Sequence, residues 1–145
     1  MASTGIAALV LASLFTGAAF YINVAEQPAR MQLDVSDAVR QWAPAYKRGY
    51  AMQATLAVLA AAAGGSTWWL GGNGLWLAGA AAMIANWPWT LAVMMPVNHR
   101  LERIEHSGED MPDAEPLLRR WANLHAVRTG LGALGTACFA LALAQ

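Results

Sequence analysis

Charge is scarce in this chain. Nine Lys or Arg and nine Asp or Glu make up 12% of the 145 residues, about half the share of a soluble domain. The net charge is zero, so no basic surface recommends a nucleic-acid partner. The lone Cys138 excludes an intrachain disulfide, and its apolar surroundings suit an inert packing thiol. There is no His-Glu-x-x-His, no cysteine pair and no Glu-x-x-His set, so metal motifs are weak. Without a Gly-rich phosphate loop or a Gly-x-Ser-x-Gly elbow, nucleotide and serine-hydrolase chemistry have no support. No Lys or Arg precedes the first apolar run, so the basic region of a signal peptide is missing. With Met1 at its start, that run is expected to be retained as a span.

What the chain has instead is apolar length. Hydrophobic residues reach 57% and gather in four runs, each near the ~20 residues that cross a bilayer. They cover about 5–24, 49–70, 75–95 and 121–144. The expectation is one domain over 1–145, an all-α integral membrane four-helix bundle. Gly71-Gly72-Asn73-Gly74 reads as a tight turn between the second and third spans, with Trp68 and Trp69 at the interface. Pro88, between Trp87 and Trp89, predicts a kink in the third span. No convincing internal repeat is seen.

Two polar connections join the runs. In 26–47, Met31, Val35, Val39 and Trp42 recur at helical spacing between Arg30, Asp34, Asp37 and Arg40. This predicts a short amphipathic helix in the first connection, ended by Pro44. The second, 99–120, has mixed charge and a Ser107-Gly108 break. Apart from Arg128, every Lys and Arg lies in these two connections or, as Arg48, directly beside the first. The positive-inside rule then puts both in the cytoplasm and both termini outside, as for a protein of a bacterial inner membrane.

Arg128 lies roughly 10 Å inside the last apolar run, at ~1.5 Å per residue. A cation there costs about 2.5–3.5 kcal/mol on insertion scales unless partners or water relieve it. Trp121, His125 and Arg128 fall at i, i+4 and i+7 and share one helix face. In an up-and-down bundle, Asn23, Gln53, Asn98 and the His125–Arg128 end reach the same side and can converge on one pocket. Each has a plainer reading. Arg128 can snorkel, His125 can be interhelical glue, Asn98 can cap a helix, and Trp42 and Trp121 can belong to an aromatic belt. Tyr21, Tyr50 and Gln53 fit packing and hydrogen bonding as well as substrate binding. His99 and His106 lie at the polar loop and suit solvation.

Pro96-Val97-Asn98-His99-Arg100-Leu101, followed by Arg120-Trp121-Ala122-Asn123-Leu124-His125-Ala126-Val127-Arg128, resembles the anthrone oxygenase-like family of small four-span membrane proteins. Gly17, Tyr21, Pro28, Trp42, Tyr46 and Arg48 extend the resemblance over nearly the whole chain. It implies that Asn98, Trp121, His125 and Arg128 are the functional residues. It also implies oxidation of a flat, lipophilic aromatic substrate by O₂ without a bound metal or flavin.

Those residue types suit that chemistry. An anthrone is a carbon acid whose anion can pass an electron to O₂. His125 is the candidate base, Arg128 the fixed charge against the developing oxyanion, Asn98 the carbonyl-orienting amide and Trp121 the stacking surface. Tyr21, Trp42, Tyr50 and Gln53 are the candidate substrate-binding residues. Two alternatives stand beside this reading. One is a redox protein holding haem or copper through His99 and His125. The other is a non-enzymatic membrane protein that binds a lipid or a partner through its Trp-rich spans. A homo-oligomer is compatible with each.

Overall fold

In the computed structural model, residues 2–145 are described, and among them every regular element is a helix. α1 covers Ala2–Tyr21 and passes through a π-turn at Ile22–Glu26 into α2, Gln27–Arg30. α3 is one long helix, Val35–Trp69. The third stretch is segmented into α4 (Gly74–Ile84), α5 (Asn86–Trp89), a second π-turn (Thr90–Met94) and α6 (Met95–Ser107). A 3₁₀ turn at Met111–Asp113 leads into α7, Ala114–Leu143.

α1 and α4 each pack against both α3 and α7, which makes a four-cornered bundle. The Thr67 hydroxyl donates to Thr4, and the Asn73 amide donates to Gln145, both at 2.9 Å. The two chain ends and the Gly-rich turn therefore share one end, and both polar connections lie at the other. Ile6, Val10, Leu14, Leu134 and Leu141 point outward, the arrangement of a bundle solvated by lipid. The stretches Ala2–Arg30, Gly74–Ser107 and Met111–Leu143 are long and apolar enough to cross a membrane. α3 is as long, but Gln53, Ser66 and its Gly residues dilute its hydropathy. The chain is an integral, multi-span membrane protein.

Two local expectations change. First, Pro44 does not end a separate amphipathic helix; α3 runs straight through it. Pro44 removes one N–H, but it and Arg40, whose carbonyl loses that partner, are both exposed, so solvent can take its place. Second, the third span breaks as well as bends. Ahead of Pro88 the helix stops at Ile84, and the Asn86 amide donates to the carbonyls of Ala82 (3.4 Å) and Met83 (3.1 Å) at the break. The two π-turns share a local pattern. The N–H of Gln27 reaches back to Ile22 and that of Met95 to Thr90, each five residues, and each just before a proline, Pro28 or Pro96. In the long helices that follow, Trp42 stacks on Tyr46 and Trp121 on His125, both pairs at i, i+4.

The two ends of the bundle have separate cores. Towards the Gly-rich turn, Ala8, Ala12, Phe15, Ala60, Trp76 and Phe139 pack closely. A methyl added at Gly64 or Gly79 would come within 2.5 Å of the Phe139 ring, so these helices approach where only glycine fits. Towards the polar connections, Trp42, Met94, Leu101, Leu118 and Trp121 form the second core. The buried histidine and arginine lie between them.

Candidate functional site

His125 is 1% exposed and held from the first π-turn. The Asn23 amide nitrogen donates to the Ala122 carbonyl at 3.0 Å, which turns its oxygen the other way. That oxygen accepts from the Thr129 hydroxyl at 2.8 Å and lies 2.9 Å from His125 Nδ1. An amide oxygen only accepts, so Nδ1 must carry the hydrogen. In the neutral ring the lone pair is then on Nε2. Asn23 thus sets both the tautomer and the orientation of a potential base.

Arg128, one turn deeper, is 5% exposed and takes part in no ion pair among the described residues. Its guanidinium lies 5.6 Å from the centroid of the Phe15 ring, and its Nε has no hydrogen-bond partner. Gln53 is buried with neither amide atom bonded. A buried cation beside an unbonded amide is costly in a bilayer unless something polar is meant to face them. Arg128, Gln53, Tyr50, Tyr46 and His125 border one cavity, which Glu26 and Arg30 also line. Its volume is about 20 Å³, room for a water but far below the ~300 Å³ at which small-molecule pockets begin. An aromatic substrate enters only if side chains move.

The other expected residues divide into two groups. Trp121 borders the cavity, but its ring stacks on His125 at 4.9 Å and meets the edge of Trp42 at 6.1 Å. In this arrangement it braces the histidine. Asn98 is completely buried and does not border the cavity; its amide donates to the Tyr46 hydroxyl at 3.1 Å and reaches the site through that phenol. Trp42 stands behind Tyr46, stacked at 4.8 Å. Tyr50 and Gln53 lie where the helix face 46, 50, 53 puts them. Tyr21 does not join them, being 60% exposed on the same outward face as Gly17 and Val24. His99 is exposed and borders a wide concavity of about 540 Å³ on the second connection, with Arg103 and His106, so it is not brought to His125. Among the described residues, no group of three His, Cys, Asp or Glu is placed to hold a metal.

Arg30 is a surprise. It falls among the charges of the first polar connection, yet it is 3% exposed. It is paired with Glu26, donates to Gln27 and Gln41, and lies 5.8 Å from the centroid of the Trp121 ring. Gln27 in turn donates to the Leu118 carbonyl at 3.1 Å, which ties α2 to α7. The one sequence signal was the Glu26–Arg30 spacing of four, which fits a solvated helix pair equally well.

Comparison with known proteins adds one match. No curated protein and no solved structure matches the chain. A family model described as anthrone oxygenase matches residues 42–138, from the tryptophan that braces Tyr46 to beyond Arg128. That match covers more than half of the chain and all of its two best-defined sequence motifs, and on it the chain belongs to the anthrone oxygenase family.

Proposed function

We propose that the protein is a membrane oxygenase that oxidises a flat, lipophilic phenolic substrate of the anthrone type with O₂. The observation that carries this reading is the unpaired, buried Arg128 one turn from a histidine whose lone pair is fixed on Nε2. His125 Nε2 takes the proton from the CH₂ of the carbon acid. The charge left behind spreads onto the carbonyl oxygen, where Arg128 stabilises it more strongly than water would. Gln53 and Tyr50, on the same cavity, can hold the substrate's other oxygens.

The anion is a good reductant. One electron passes to O₂, and the two radicals join to form a C–O bond and a peroxide anion. His125 returns its proton to that peroxide. Loss of water from the hydroperoxide then leaves the ketone, so one oxygen atom ends in the quinone and the other in water. These steps are supported by the family, the base and the fixed cation. The basic connections support an orientation with the site nearer the cytoplasm and both termini outside.

The test is quinone formation from an anthrone in vesicles, with O₂ uptake measured alongside. One O₂ consumed per quinone formed, lost in His125→Ala, is expected. Absence of O₂ uptake above the protein-free rate overturns the reading. Loss on chelation, restored by one metal, would replace it with metal chemistry.

A further inference from the structure

Three concavities of the structure run end to end. A groove of about 410 Å³ lies on the outer flank of α3, floored by Ala51, Ala54 and Val58 and walled by Trp87. Ala54 and Trp87 also border a small inner cavity, with Asn86, Thr90 and Arg128 on its far side. Tyr50 and Arg128 in turn border the cavity that holds His125. A path therefore leads from the membrane-facing surface of the bundle to the buried cation, between α3 and the segmented third span. Only the outermost part is large enough for a small molecule.

We propose that this groove is a lateral entrance from the bilayer, gated by Trp87, that delivers a flat aromatic molecule carrying an acidic oxygen to Arg128. The inner end has the polarity such a guest needs. Arg128 Nε is an unbonded donor and Asn86 Oδ1 an unbonded acceptor, both buried, and both residues border the inner cavity. One suits a phenolate and the other a phenol O–H. The outer wall is mostly apolar, its one hydroxyl, on Thr55, donating to the Ala51 carbonyl, and it sits on the apolar part of α3. The gate is one side chain: the Trp87 indole N–H donates to the Ala54 carbonyl at 3.3 Å and spans the gap. It stands on α5, only four residues long, between the break after Ile84 and the π-turn at Thr90–Met94. A segment with irregular hydrogen bonding on both sides can shift at less cost than an unbroken helix. The oxygenase reading explains why a phenol would be wanted, and the inference rests on it for the substrate class alone.

The experiment measures association of 2-hydroxyanthracene, by its own fluorescence, with protein in phosphatidylcholine vesicles under argon. Ala54→Trp should fill the groove and slow association about tenfold, and Trp87→Ala should speed it severalfold. Anthracene, without the hydroxyl, should bind about tenfold more weakly. Gly49→Trp, which borders the His125 cavity but neither the groove nor the inner cavity and where a side chain meets open space, should change little. Slowing by Gly49→Trp but not by Ala54→Trp would overturn the entrance in favour of the polar end. Equal binding of anthracene, or displacement by oleoyl chains alone, would overturn the phenol in favour of a lipid occupant. If Ala54→Trp fails to fold by circular dichroism, the opposite change in Trp87→Ala decides, and an unchanged rate there counts against the gate. Because turnover is excluded, normal binding of 2-hydroxyanthracene together with no quinone formation from an anthrone in air would sink the oxygenase reading and leave the entrance standing.

Discussion

The two ends of the bundle are made differently. Towards the Gly-rich turn, helices meet through Ala and Gly around Phe15, Trp76 and Phe139, with threonines in the few polar pairs. Towards the polar connections the same helices carry two π-turns, two prolines after them, and buried Asn, Gln, His and Arg side chains. Tight packing at one end lets the other hold groups that a bilayer disfavours. Stability and chemistry should therefore separate when each end is altered in turn.

The largest effect is expected at the chemical end. His125→Ala should lower the rate of quinone formation roughly 10²–10⁴-fold, the usual loss with a general base, while the unfolding midpoint in detergent changes little. Full activity would remove His125 from the reaction. Arg128→Lys comes next, at about 10²–10³-fold, since an ammonium cannot place the guanidinium's fork of donors at the oxyanion. A wild-type kcat in that variant would show that charge alone suffices.

The opposite end should behave in the opposite way. Gly64→Ala drives a methyl into the Phe139 ring and should cost about 1–3 kcal/mol in reversible unfolding, with unchanged activity per folded molecule. If activity fell and stability held, the division between the ends would be wrong. The smallest effect is expected from Asn23→Ala, about tenfold in rate. Nitrogen NMR should then find the His125 proton shared between its two nitrogens, a change that loss of packing alone would not cause.

Much of this was legible in the sequence. Apolar length gave the helices, and the 121, 125, 128 spacing put tryptophan, histidine and arginine on one face, because α7 is regular there. Tyr50 and Gln53 follow the same rule on α3. The rule fails on the first span. Tyr21 continues a regular face, but that face meets lipid, while Asn23, two residues on, meets a partner 102 residues away. Nothing local distinguishes the two. Arg30 was hidden for another reason: whether a charged residue is solvated or buried depends on what packs over it, here Trp121 from the far end of the chain. The break at Ala85 was partly visible in Pro88, but the unbroken course through Pro44 was not, because it depends on which face of α3 is left open.

The π-turns make the molecule sensitive to length. A π-turn is an α-helix with one residue too many, and each residue of a helix advances it by about 100°. Everything after Ile22–Glu26 is thus turned relative to the span before it, which is how Gln27 and Arg30 come to face α7. Deleting Val24 or Ala25, neither of which borders the His125 cavity, would leave the apolar span nearly unchanged in hydropathy. It would swing Arg30 out from under Trp121 and carry Gln27 away from the Leu118 carbonyl. A gap of one position, harmless in most surface loops, would here act as a frameshift in three dimensions, altering which side chains the reaction centre sees without changing any of the residues that line it.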